Sequence, residues 1–423
     1  MKNLLYICLL LTSIAYSQAN WQEMPNLYSN PNGQRFDDIF FLNENLGWAA
    51  NGFYAAVYKT TDGGLTWTEQ LNNGILGSNH YFRNIQFLDE NIGFLGTLND
   101  KFYKTVNGGT TWSLVTITPN PNAICGLETV GTFTVYGCGA YFEPAFIIKS
   151  TDSGTSWTYL DMSAHANALV ELKFLDELNG FAAGKNDTGA VVLKTTDGGL
   201  TWSTIYNAAI PGEYVWKLQI LDSNPNVMFG ALYSFAPNEG KLITSNDGGV
   251  TWTTYTAPES GIEAVGFISE TKGWMGGHTT GFYETTNGGQ TWTNLNVGGN
   301  LNRIFIINST LAYAAGSTGY KYTSQSLSTD SFSTSSKKDL DIVLKENPVS
   351  NFLSIEINFL ASDNLLIELY DVSGNHIKQL KRDQIEGATT RTYNFSVKDL
   401  ASGTYILDFH NNLGRTTRKF IKK

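Results

Sequence analysis

Six near-copies of one eight-residue segment punctuate the chain: TTDGGLTW (Thr60 to Trp67), TVNGGTTW ending at Trp112, STDSGTSW at Trp157, TTDGGLTW at Trp202, SNDGGVTW at Trp252 and TTNGGQTW at Trp292. The tryptophans recur every 45 residues up to Trp202 and then after 50 and 40. Self-similarity at that period belongs to four-stranded units that bury their apolar faces only by stacking. An all-β chain is expected, and a β-propeller is the first candidate architecture.

Each copy has a physical reading. The run before it, such as AAVYKT (Ala55 to Thr60) or AVVLKT (Ala190 to Thr195), alternates and is rich in β-branched and aromatic residues, as a half-buried strand is. The segment then turns the chain and its tryptophan opens the next strand. The carboxylate of Asp62, Asp152, Asp197 or Asp247 accepts from nearby backbone N–H groups in the manner of an Asx turn, and Asn107 and Asn287 keep that acceptor without the charge. A metal ligand or general acid would not survive the exchange, so these residues read as structural. So do Trp67, Trp112, Trp157, Trp202, Trp252 and Trp292, which supply large apolar bodies to pin each hairpin. Gly64, Gly109, Gly154, Gly199, Gly249 and Gly289 stand in every copy, as a position with positive φ requires. The preceding glycine is replaced by Ser153 in the third copy, which reads as the less constrained position. The segment resembles the Asp box, or BNR repeat, of sialidases, sortilin-like receptors, xyloglucan-cleaving propellers and photosystem II assembly factors. That resemblance implies propeller architecture and leaves activity open.

Each unit begins with an apolar strand, a polar turn and a Gly-aromatic strand, as in DDIFFLNENLGWAANG (Asp37 to Gly52). A seventh unit starts at Asn302, matches three strands and ends without a box, while NWQEMPN (Asn20 to Asn26) matches TWTEQLN (Thr66 to Asn72). The expectation is a seven-bladed ring over 20–324, closed by residues 20–26 pairing into the last blade, which removes an exposed sheet edge. Before it, residues 1–19 carry one lysine, an apolar run and small residues, and read as a signal peptide cleaved after Ser17 or Ala19. No segment has the length of apolar residues that a membrane span needs.

Charge is uneven. The net charge is −10, and it resides in the propeller, which argues against a nucleic-acid partner. Cys125 and Cys138 remain after cleavage of the leader; they read either as a disulfide between adjacent strands of the third unit or as two small buried residues.

Loops leading into the inner strands are where a propeller holds ligands. Arg35, Arg83 and Arg303, the only arginines of the propeller, stand there on the first, second and seventh units. They suggest an anion site, or each pairs with a local carboxylate such as Asp37 or Asp38. Tyr81, Tyr141, Phe142, Tyr214, Trp216, Tyr233 and Phe235 would stack on a sugar or peptide, or cap the ring core. His80, His165 and His278 lie on different units without metal-ligand spacing, so no metal and no cofactor is expected. Glu171 and Glu263 start inner strands and could form an acid/base pair. Sialidases, with three arginines, invite comparison, but here FRNI (Phe82 to Ile85) stands in place of their FRIP sequence and their ring has six blades.

Residues 325–339 are rich in Ser and Thr and read as a linker. Beyond them, short alternating strands predict a small antiparallel β-sandwich over 340–423. ENPVSN (Glu346 to Asn351), LYDVSGN, DLASGTYIL (Asp399 to Leu407) and the terminal RKFIKK resemble the carboxy-terminal sorting domain of the type IX secretion system of Bacteroidetes. This implies the secretion machinery as a partner, and a protein released or attached to the cell surface. The single propeller most resembles the photosystem II assembly and stability factor group, though such a sorting domain makes a photosynthetic role implausible. The expected function is a secreted or surface propeller that binds a glycan or protein without catalysis. A secreted glycoside hydrolase and an envelope assembly scaffold are the alternatives.

Overall fold

A computed structural model describes residues 19–27, 34–77, 80–139, 144–324, 341–359, 361–371, 376–411 and 414–423. The leader up to residue 18 and the linker lie outside the described residues, as do Tyr141 and Phe142. The chain falls into two compact units, 1–329 and 330–423.

The first unit is a propeller of seven four-stranded antiparallel sheets. Blade 1 runs from its inner strand Phe36–Phe41 through Gly47–Asn51 and Ala56–Thr60 to the outer strand Thr68–Leu71, and blades 2 to 6 repeat that order. Blade 7 consists of Arg303–Asn308, Leu311–Ala315 and Gly319–Thr323, with Asn20–Glu23 as its outer strand. Asn20 lies opposite Thr323 and Glu23 opposite Tyr320.

Cores form at the seams between blades rather than at one centre. Trp48 and Phe40 of blade 1 pack with Phe82, Ile85 and Phe87 of blade 2. Trp21, on the closing strand, stacks on Phe282 at 4.1 Å and meets Trp274 edge-on at 5.4 Å. Seams between blades consecutive in the chain thus draw on residues about one repeat apart, so the period of the sequence sets the architecture. Only where the ring closes do residues near the start of the propeller, such as Trp21 and Phe36, pack against residues near its end.

The six box turns share one hydrogen-bond pattern. In the first, Asp62 Oδ1 accepts from Thr60 Oγ1 and Thr66 N, both at 2.9 Å, and Oδ2 accepts from Thr66 Oγ1 at 2.6 Å. Asn107 makes the same set, its amide donating to Thr111 Oγ1 at 2.9 Å. Both glycines of the turn are left-handed, Gly63 at φ 70° and Gly64 at φ 90°, and Ser153 adopts φ 57°. The first position is therefore no less left-handed than the second. It sits in the small region that L-residues reach, which explains how serine occupies it.

The carbonyl of that first glycine reaches the neighbouring blade. Lys321 Nζ donates to Gly63 O at 2.9 Å, Lys59 Nζ to Gly108 O at 3.0 Å and Lys149 Nζ to Gly198 O at 2.8 Å. Trp48 Nε1 and Tyr136 Oη join at the second and third of these carbonyls. The boxes are thus staples between blades as well as turns within them.

Cys125 and Cys138 are free and buried, so the disulfide alternative is not realised. Their strands are adjacent, but Gly126 is the residue opposite Cys138, and Cys125 sits in a β-bulge between Ile124 and Gly126. The bulge turns Cys125 toward Ala123, Val170 and Trp216, whereas Cys138 packs with Tyr136 and Leu169.

The second unit has a three-stranded sheet of Asp341–Leu344, Phe352–Phe359 and Thr389–Ser396, and a four-stranded sheet in the order His376–Ile385, Asp363–Asp371, Gly403–Asn411, Gly414–Lys422. Leu353, Ile355 and Ile357 alternate into the same core as Leu365, Ile367, Leu369, Leu407 and Phe409. Two antiparallel sheets with one shared apolar core make a small sandwich.

Candidate ligand site at the channel mouth

Inner strands of blades 1 to 6 each carry a bulge about two residues in. The ladder passes over one residue per strand: Asp37, Arg83, Cys125, Val170, Trp216 and Glu263. A bulge re-aims its side chain, and all six residues line one cavity of about 550 Å³. They form an asymmetric ring, charged on blades 6, 1 and 2 and apolar on blades 3, 4 and 5.

Around the charged half, Arg83 Nη1 lies 2.8 Å from Asp37 Oδ1 and Arg35 Nε 3.4 Å from the same oxygen, while Arg35 Nη1 pairs with Glu263. Burial, and then the Asp37 carboxylate, push the Tyr81 hydroxyl above its usual range. Around the apolar half, Tyr214 meets Trp216 at 5.9 Å, Trp216 meets Tyr233 at 5.6 Å and Tyr233 meets Phe235 at 5.0 Å. Trp216 Nε1 donates to Asn302 Oδ1 at 3.0 Å, which fixes the ring plane. Burial pushes the Cys125 thiol up to about 11, leaving it a neutral wall residue.

Beneath this ring lies a waist of ion pairs. Arg303 Nε contacts Asp38 Oδ1 at 2.8 Å and its Nη1 contacts Glu171 Oε1 at 2.6 Å; Lys217 Nζ is 3.1 Å from Glu171 Oε2. Burial alone would raise the Glu171 carboxyl, but Arg303, Lys217 and Lys173 outweigh it and hold it at about 2. Past the waist a second cavity of about 540 Å³, lined by Arg303, Lys173, Lys217 and Glu128, opens toward the other end of the ring.

Of the candidates read from the sequence, Arg35, Arg83, Tyr81, Tyr214, Trp216 and Tyr233 share the mouth cavity, with Phe235 and His278. Arg303 does not join them, because the bulge of its strand falls late, between Ile306 and Asn308, and Arg303 stays in register opposite Ala315. Three converging arginines are therefore not what the mouth contains; all three are engaged with carboxylates. Tyr141 lies outside the described residues. His80 is buried against Tyr103, and His165 lies elsewhere, next to Met162. Sequence reasoning missed the bulge column, although its members recur at 42 to 47 residues, the period of the repeat. It also missed Lys217, a lone lysine in the apolar run VWKLQ.

Comparison with known proteins reaches both units. Residues 347–423 match the secretion system C-terminal sorting domain family. No curated protein sequence matches the chain. Among solved structures, YCF48 bound to D1 peptide is similar at 17% identity and TM-score 0.55, over 74% of this chain and 98% of that one. YCF48 from Cyanidioschyzon merolae gives 18% and 0.55, over 72% and 98%. PorZ, a surface component of the type IX secretion system of Porphyromonas gingivalis, gives 15% and 0.53, over 95% of this chain and 61% of its own. An ancestral GH74 enzyme gives 14% and 0.54, over 94% and 63%. Likeness at such identity speaks for the fold. The sorting domain marks the protein for export through type IX secretion, to a secreted or surface-attached location.

Proposed function

We propose that this exported propeller is a non-catalytic binding protein whose channel mouth takes an uncharged glycan. One observation carries the reading: Arg83, 5% exposed, has Nη1 on Asp37 but Nη2 without a hydrogen-bond acceptor, at the wall of the mouth cavity. A buried donor left without an acceptor costs about 1–3 kcal/mol, and a ligand oxygen would remove that cost. The floor is already balanced, with Arg35 and Arg83 against Asp37 and Glu263. An added carboxylate would face two others, whereas a hydroxyl or acetamido oxygen would not. The arc from Tyr214 to Phe235 offers ring faces for the apolar face of a sugar. Glu171, held ionised between Arg303 and Lys217, has no proton to donate, which speaks against its service as a glycosidase acid.

Equilibrium binding of a panel of neutral and acidic oligosaccharides to the mature protein tests the reading. Capture of neutral glycans that weakens in Arg83→Lys supports it. Exclusive capture of sialylated glycans, or turnover of aryl glycosides, would replace it. A peptide ligand is the second reading, favoured by the likeness to YCF48 bound to D1 peptide, and a peptide array distinguishes the two.

A further inference from the structure

The second unit gathers metal-ligating side chains on the outer face of its four-stranded sheet. Glu368 lies directly opposite Asp408 across the pair Asp363–Asp371 and Gly403–Asn411. Period-two alternation sets His410 on the same face as Asp408. His410 Nε2 is 3.0 Å from Asp408 Oδ2 and 3.7 Å from Glu368 Oε2. Donor atoms of these three residues all lie within 4.8 Å of one another. From the adjoining strand His376 brings Nε2 to 3.4 Å from Glu368 Oε1, and Tyr370 Oη donates to Glu368 Oε2 at 3.2 Å. Behind them Ile367, Leu369, Leu407 and Phe409 are fully buried, so the donors stand on a rigid base.

These spacings suit a coordination shell. Nitrogen and oxygen ligands at ~2.0–2.2 Å from a tetrahedral ion stand roughly 3.4 Å apart, and the measured separations bracket that value. Two carboxylates directly opposite on neighbouring strands repel each other; a divalent cation between them turns the repulsion into attraction. Imidazole beside carboxylate favours a borderline d-block ion over Ca²⁺ or Mg²⁺, which take oxygen ligands. We propose that Glu368, Asp408 and His410, with His376 completing the set, bind one Zn²⁺-class cation that ties together three strands of this sheet.

The intact chain, stripped with a chelator, is titrated with Zn²⁺ by calorimetry and with Co²⁺ by visible absorption. One Zn²⁺ per chain is expected, with intense Co²⁺ bands of a tetrahedral site, a raised melting temperature in Zn²⁺ and no shift in Ca²⁺. The double variant Glu368→Gln with His410→Ala should weaken binding at least 100-fold, His376→Ala less, and His165→Ala in the propeller not at all. Metal-free melts of the variants and the parent establish that each is folded. Absence of Zn²⁺ binding by the folded parent, or binding of equal strength in the folded double variant, overturns the proposal.

Discussion

The guanidinium of Arg83 lies 5.2 Å above the ring of Trp216, although one residue belongs to blade 2 and the other to blade 5. Both are bulge residues, and the contact is made across the channel rather than along a seam. A cation over an aromatic face is stabilising by about 0.5–2 kcal/mol. Here it also parks the free Nη2 donor beside the aromatic arc, so polar and apolar halves of the mouth meet at one pair.

Arg83→Lys keeps the charge near Asp37 and removes the fork. The expected outcome is roughly tenfold weaker ligand binding, about 1.4 kcal/mol, with a melting temperature within a few degrees of the parent. Trp216→Phe should weaken binding similarly through loss of ring area and of the bond to Asn302. Titration calorimetry with the best glycan of the panel checks both.

The waist makes a prediction about pH. Glu171 has a folded pKa of about 2 against an ordinary 4.5, so the folded state binds its proton more weakly than the unfolded state does. Its contribution is fully present above pH 4.5 and is lost as pH falls through that range toward 2; the linkage amounts to roughly 3 kcal/mol. Glu171→Gln leaves Arg303 and Lys217 without their shared carboxylate and should cost about 3–5 kcal/mol at pH 7. Denaturant melts from pH 7 to 2 should show the gap between variant and parent narrowing below pH 4.5. A gap independent of pH would mean that the waist does not hold Glu171 ionised.

Much of the fold was legible because its determinants are local and repeated. The box turns, the Gly-aromatic strands and the alternating sandwich strands each carry their own turn or period signal, and the seams follow from repetition. The site was legible only in part. Tyr81, Arg83, Tyr214 and Trp216 could be placed on the right loops and inner strands, but a bulge shifts register by one residue without a dedicated residue type. Asp37, Arg83, Cys125, Val170, Trp216 and Glu263 have nothing in common but their place in the repeat. Arg303 looked equivalent to Arg35 and Arg83 for the same reason, and its unbulged register put it in the waist. Pairing of cations with carboxylates depends on blades far apart in sequence, as with Arg303 and Glu171, and no local pattern announces it.

The box carboxylate is replaceable by an amide. Asn107 reproduces the bonds of Asp62 with the amide as donor to the following threonine, so Asp62→Asn should change stability by less than about 0.5 kcal/mol. Asp62→Ala removes the acceptor for Thr60, Thr66 N and Thr66 Oγ1 together and should cost about 1–2 kcal/mol. Adding Ca²⁺ should alter neither. Urea melts of the three proteins in the presence and absence of Ca²⁺ check this, and a calcium-dependent loss in Asp62→Asn would make the box a metal site.

Ring closure rests on Trp21. Its strand Asn20–Glu23 covers the edge of Gly319–Thr323, and its ring lies between Phe282, Trp274 and Tyr322 at 4.1, 5.4 and 5.5 Å. Removing that ring from a site only 4% exposed should cost about 3–5 kcal/mol. Deleting residues 20–23 adds an unpaired sheet edge, which is a template for association. Trp21→Ala should therefore lower the melting temperature by several degrees, and the deletion should both destabilise and promote oligomers, seen by light scattering. If the deletion melted with the parent, the last blade would be stable with three strands, and the pairing of Trp21 with Tyr322 would be ornament to the ring rather than its clasp.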